Sequence, residues 1–170
     1  MSDEDYAGDI MPAEAWKILA DDPKAVLVDV RTTAEWAYVG QADISSLSKE
    51  TVLLEWKVFP AMENNSGFAH ELSGKISDKD APLLFLCRSG VRSKAAAITM
   101  TAEGHATCYN IATGFEGDKD GDGHRGQSKS SRGYRSHPGG EHVVTPYGES
   151  HEANDRAREY HDRVSKQRFT

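Results

Sequence analysis

Two short apolar runs, "AVLVDV" at 25–30 and "APLLFLC" at 81–87, constrain this chain more than any other feature. Each is nearly continuous rather than alternating, the pattern of a strand covered on both faces in a parallel sheet. "ATCYNI" at 106–111 supplies a further strand. Helical patterns come between them. "MPAEAWKILADDP" places Ala15, Ile18 and Leu19 at helical spacing with Pro23 beyond its end, and "SKAAAITMTAEG" is a small-residue helix that Gly104 terminates. Alternating strands and helices predict an α/β fold with a central, mainly parallel sheet flanked by helices. In such sheets ligands bind beyond the carboxyl ends of the strands, where Asp29 and Cys87 both fall. "LLEWKVFPAMENNSGFAHEL" reads as a strand or loop leading into a short helix.

With 170 residues there is chain for one core of ordinary size plus an appendage. After Asp118 the periodicity collapses into Gly, Ser, His and charge, which predicts loop or disorder. Within it, "SHEANDRAREYHDRVSKQR" carries a thin apolar stripe of Ala153, Ala157, Tyr160 and Val164 suited to a final helix. The net charge of −7 argues against a nucleic-acid surface, whose affinity depends on clustered Lys and Arg. No window approaches the length of apolar chain that spans a bilayer, and the N-terminus is acidic where a signal peptide is basic and then apolar. A cytoplasmic protein without membrane contact is expected. Two cysteines are too few for a disulfide framework, and their spacing is not that of a metal site.

Cys87 lies at the seam where the apolar run gives way to "RSGVRS". The thiolate is the reactive form of cysteine, and a free thiol with a pKa of about 8.5 is mostly protonated at neutral pH. The residues after Cys87 favour an anion in three ways: a turn whose backbone N–H groups can point inward, a helix N-terminus, and the cations Arg88 and Arg92. A loop curling this tightly around one atom calls for positive φ or close backbone approach at Gly90. The same cradle suits a sulfur or a phosphoryl oxyanion, so the residues alone leave sulfur transfer and phosphoryl transfer both open.

"LVDVRTTAEW", "FLCRSGVRSKAAA" and "YNIATGFEGD" occur in the order seen in single-domain rhodaneses, and the chain resembles that family over roughly residues 10–126. "EWKVFPAMENNSGFAHEL" is similar to the intervening segment of one bacterial subgroup. The resemblance implies a single rhodanese-like domain over 1–126, followed by a polar extension over 127–170. Cysteine phosphatases related in fold use Cys-x5-Arg, whereas Cys87 and Arg92 are spaced Cys-x4-Arg and Ser93 occupies the next position. The shorter loop is similar to the sulfurtransferase version. The resemblance implies a ping-pong reaction in which Cys87 takes the sulfane sulfur of thiosulfate or a related persulfide donor and passes it to a thiophilic acceptor. It requires no cofactor. Arg88, Ser89, Gly90, Val91 and Arg92 form the expected substrate loop, with Asp29 and Arg31 of the family's DVR element in support. Glu35 and Trp36 match its EW element and are assigned a structural role. Alternatives are a sulfur-carrying or regulatory module with a protein sulfur acceptor, and, further off, a phosphatase or arsenate reductase relative.

Other features take plainer readings. Cys108 sits in a strand among apolar neighbours and is assigned a structural role. "DKDGDG" at 118–123 opens like a calcium loop, but Lys129 stands where the bidentate Glu belongs, so a turn is expected. The irregular spacing of His124, His137, His142, His151 and His161 predicts no metal site. Members of the family close with a Trp-containing, apolar segment that "QSKSSRGYRSHPGG" does not reproduce, which predicts a less covered core edge.

Overall fold

Continuous apolar runs become strands with covered faces. The computed structural model describes residues 5–115 together with the backbone of two short strands at 134–136 and 141–144. The order is β1 (Gly8–Ile10), α1 (Pro12–Asp21), β2 (Val26–Asp29), α2 (Thr33–Tyr38), β3 (Gln41–Asp43), a 3-10 turn (Ser45–Leu47), β4 (Val52–Leu53), β5 (Lys57–Val58), β6 (Glu63–Asn64), α3 (Phe68–Lys75), β7 (Leu83–Leu86), α4 (Val91–Ala102), β8 (Cys108–Ile111), β9 (Tyr134–Ser136) and β10 (Glu141–Val144). The main sheet runs β1-β8-β7-β2-β4 with every pairing parallel. This is the expected α/β architecture.

Side-chain alternation explains why the runs are unbroken. Leu27, Leu84 and Leu86 point to one face and pack with Ala15 and Leu19 of α1. Val28, Leu83 and Phe85 point to the other, against Phe68 and Leu72 of α3 and Ala96, Ala97 and Met100 of α4. Because helices cover both faces, both registers of each strand must be apolar. Ser93, Ala96, Ala97 and Met100 are the buried positions of α4, and the small residues among them let its axis approach the sheet.

Several elements differ from expectation. α4 starts at Val91, two residues before "SKAAA". The six-residue α2 begins with a capping box, in which the Thr32 hydroxyl accepts from the Glu35 N–H and the Glu35 carboxylate accepts from the Thr32 N–H. β1 has only three residues and exists through its ladder with β8. Within the stretch 127–170, expected to be loop or disorder with a possible terminal helix, the described residues are the two short strands β9 and β10. β10 pairs parallel with β3 and antiparallel with β9. Edge N–H and C=O groups of β3 find partners in this way, and Val143 and Val144 are β-branched formers of such a strand. The "DKDGDG" run, the candidate helix at 151–168 and the histidine side chains beyond residue 118 lie outside the described residues. Among the described residues, no helix is long and apolar enough to cross a membrane.

His105 follows the turn that ends α4 and is 1% exposed, with neither ring nitrogen hydrogen-bonded among the described residues. Burial pushes its pKa down, Lys79 adds to this, and Glu103 opposes it. The folded-state value thus lies below the unfolded one, so the unfolded chain binds more protons as acid is added. Stability is fully present above about pH 6.5 and is lost as pH falls toward the folded value. Urea midpoints should decline between about pH 7.5 and 5.5, before most carboxylates titrate, and His105→Phe should flatten that decline. An equal slope in both proteins would remove His105 as its cause.

Candidate active site

The central strand β7 ends at Leu86 and delivers Cys87 to the carboxyl edge of the sheet, where it is 1% exposed. The chain then turns through Arg88, Ser89 and Gly90 into α4. Gly90 caps that helix at φ 96°, and its N–H donates to Cys87 Sγ across 3.1 Å. A Cβ on Gly90 would stand 2.1 Å from the carbonyl oxygen of Ala112. From behind, a Cβ on Gly114 would stand 2.5 Å from the carbonyl of Arg88, and the Phe115 N–H donates to the Cys87 carbonyl at 2.7 Å. The turn around sulfur and the segment after β8 therefore touch backbone to backbone, which only residues without a Cβ permit.

Two ion pairs brace this turn. Asp29 and Arg31 are buried at the end of β2, with Arg31 Nη2 donating to Asp29 Oδ2 at 2.7 Å and Nε to Oδ1 at 3.0 Å. Arg31 also donates to the Gly40 carbonyl, and its guanidinium lies 3.8 Å from the centroid of the Phe115 ring. Through Phe115 this pair reaches the Cys87 backbone. Arg92 forms a two-pronged pair with Glu35 at 2.6 and 3.0 Å, the side chains being 15% and 20% exposed. Burial works against both charges, but their mutual hydrogen bonds and attraction prevail, holding the Glu35 carboxyl below and the Arg92 guanidinium above their ordinary values. Arg92 thus ties the start of α4 to α2.

The structure gathers Cys87 and residues 88–92 into one turn with Asp29 and Arg31 a strand away. Arg88 is exposed at its rim, Ser89 half-buried, and Val91 76% exposed. Glu35, read from sequence as structural, is the direct partner of Arg92. Sequence reasoning noted Ser93 only as the residue after Arg92, and did not single out Asn110, Asp9 or Gly114. Ser93 Oγ lies 3.1 Å from Cys87 Sγ and 2.6 Å from Asn110 Oδ1, and Asn110 Nδ2 donates to Asp9 Oδ1 at 2.9 Å. The signal for Ser93 was its place in the first turn of the helix that follows the cysteine loop; Asn110 was visible as a polar residue inside an apolar strand. Cys108 pairs in register with Leu83, four residues before Cys87. At strand rise the two thiols are about 13 Å apart, beyond disulfide reach. Burial pushes the Cys108 thiol up. Among the described residues no group of His, Cys, Asp or Glu is arranged to hold a metal ion.

Fold and site together define a parallel α/β domain with a cysteine loop at the carboxyl end of its central strand. A family model described as the STR4 middle domain matches residues 8–131, and the chain belongs to the rhodanese-like family. An uncharacterised protein of Rickettsia conorii, RC0915, is 39% identical over 109 residues, 64% of this chain and 84% of that protein. The crystal structure of Rv0390 from M. tuberculosis has a TM-score of 0.68 at 48% identity, covering 75% of this chain and 93% of that one. The thiosulfate sulfurtransferase GlpE of Haemophilus influenzae is 23% identical over 109 residues, 64% of this chain and 85% of that protein.

Proposed function

We propose that the protein is a sulfurtransferase that carries a sulfane sulfur as a persulfide on Cys87. The thiolate attacks the outer sulfur of thiosulfate or a similar donor, the donor's S–S bond breaks, and sulfite leaves with the bonding pair. A thiophilic acceptor then attacks the outer sulfur of the persulfide, and the Cys87 thiolate departs. Dividing the transfer into two displacements lowers the barrier of each. Arg88, exposed at the rim, attracts an anionic donor, while the Gly90 N–H faces the sulfur.

One observation carries this reading over phosphate chemistry. A phosphatase loop directs its arginine at the bound phosphate, whereas Arg92 commits both ends of its guanidinium to Glu35 and the next position is Ser93. Sulfur, which needs only a nucleophile and inward N–H groups, suits what is left. With thiosulfate and cyanide the protein is expected to form thiocyanate, and Cys87→Ser to reduce this to the uncatalysed background. Undiminished turnover by Cys87→Ser would sink the assignment, as would Cys87-dependent hydrolysis of an aryl phosphate without thiocyanate formation.

A further inference from the structure

Resting on the reading that Cys87 is the reacting atom, a polar chain that ends on the same sulfur as the Gly90 amide gains a role. It runs from Tyr6 Oη through Asp9, Asn110 and Ser93 to Cys87 Sγ, at 2.7, 2.9, 2.6 and 3.1 Å. Ser93 and Asn110 are buried, while Asp9 is exposed on β1. Its direction follows from donor and acceptor inventory. An ionised Asp9 accepts from both Tyr6 and Asn110, so the Asn110 amide must turn its Nδ2 outward to Asp9 and its Oδ1 inward to Ser93. The Ser93 hydroxyl has one hydrogen and two claimants, Asn110 Oδ1 and the sulfur. With Asn110 held in this orientation, the 2.6 Å contact takes that hydrogen and leaves a lone pair facing Sγ.

We propose that the Ser93 hydroxyl is a two-position switch set by Asn110 and Asp9, accepting from the Cys87 thiol in one position and donating to the thiolate in the other. When the thiol proton leaves to solvent, the hydroxyl rotates from Asn110 Oδ1 to the sulfur. The thiolate gains a charge-assisted hydrogen bond, and a buried amide oxygen loses its partner. Asp9 opposes ionisation at a distance because it prevents the Asn110 amide from turning round. Ser93, Asn110 and Asp9 are positioning residues that act through this one hydrogen.

The test is the pH profile of Cys87 alkylation by iodoacetamide in the full-length protein, read by mass spectrometry of the Cys87 peptide so that Cys108 does not contribute. Ser93→Ala removes the donor to the thiolate and should move the midpoint up by about one unit. Asp9→Asn, isosteric and exposed, frees the amide to turn its Nδ2 inward and should move the midpoint down by about half a unit. Other charges around the site stay constant in these variants: Arg88 on the turn, Arg92 and Lys94 of α4, Glu35 of α2, Asp29 at the end of β2 and Arg31 just beyond it. Only the charge of Asp9 changes, so the double variant decides. If Asp9 acts through Ser93, Ser93→Ala/Asp9→Asn matches Ser93→Ala alone. An Asp9→Asn shift that persists undiminished in the Ser93→Ala background would show a through-space charge effect and overturn the proposal. Midpoints that move in the same direction in both single variants would also overturn it. Opposed shifts in a protein that forms no thiocyanate would keep the switch and reject the sulfur-transfer reading instead.

Discussion

Gly90→Ala is expected to lower folding stability by about 3–5 kcal/mol and to abolish Cys87-dependent thiocyanate formation. Two penalties combine. The left-handed backbone at φ 96° costs a residue with a Cβ about 1–2 kcal/mol. The Cβ would also be placed 2.1 Å from the Ala112 carbonyl oxygen, so one of two backbone segments must move, and the Gly90 N–H moves with it from the sulfur. Gly104→Ala separates the two penalties, because Gly104 has nearly the same φ, +93°, and a Cβ there meets nothing within 4 Å. It should cost only the conformational part, about 1–2 kcal/mol, with thiocyanate formation intact. Urea unfolding of both variants checks this; equal losses would remove the contact with Ala112 from the explanation.

Breaking the pair beneath the turn should be as damaging. Asp29→Ala leaves the Arg31 guanidinium buried without its carboxylate, and Arg31→Met leaves Asp29 in the same condition. Each is expected to cost about 3–5 kcal/mol, the usual loss on orphaning a buried charge. The double variant Asp29→Ala/Arg31→Met should be less destabilised than the sum of the two, since no unpaired charge then remains. Unfolding midpoints of the three variants form the cycle. Simple additivity would mean that the pair contributes only through its separate contacts, such as Arg31 over Phe115.

The central sheet was legible in the sequence because helices on both faces leave β7 no polar position and β2 only its last residue, Asp29, and such runs have few other uses. The position of Cys87 at a strand end followed from the same pattern. α2 was missed although its start was written in Thr32 and Glu35, because a six-residue helix buries too little to show a periodic stripe. β1, β9 and β10 are strands only by virtue of their partners; nothing within three or four residues distinguishes them from loop. The contacts around the sulfur were hidden for a related reason. Ser93, Asn110 and Asp9 are joined across α4, β8 and β1, and Gly114 meets Arg88 through backbone alone, so sequence spacing records none of these encounters. Arg92 was noted as a cation beside the thiol, but its commitment to Glu35 depends on how α2 lies against α4.

The rank of β7 in the sheet has a further consequence. It is the third of five strands, with parallel ladders to β2 and β8 on either side. Transient local openings begin where few bonds hold, at edges and turns, and reach doubly laddered strands only when much of the domain opens with them. Cys87 is therefore anchored by its backbone to the slowest-breathing part of the molecule, while the turn that encloses its sulfur can loosen by itself. Admission of a reagent to the thiol and unfolding of the domain are thereby separated into motions of different depth.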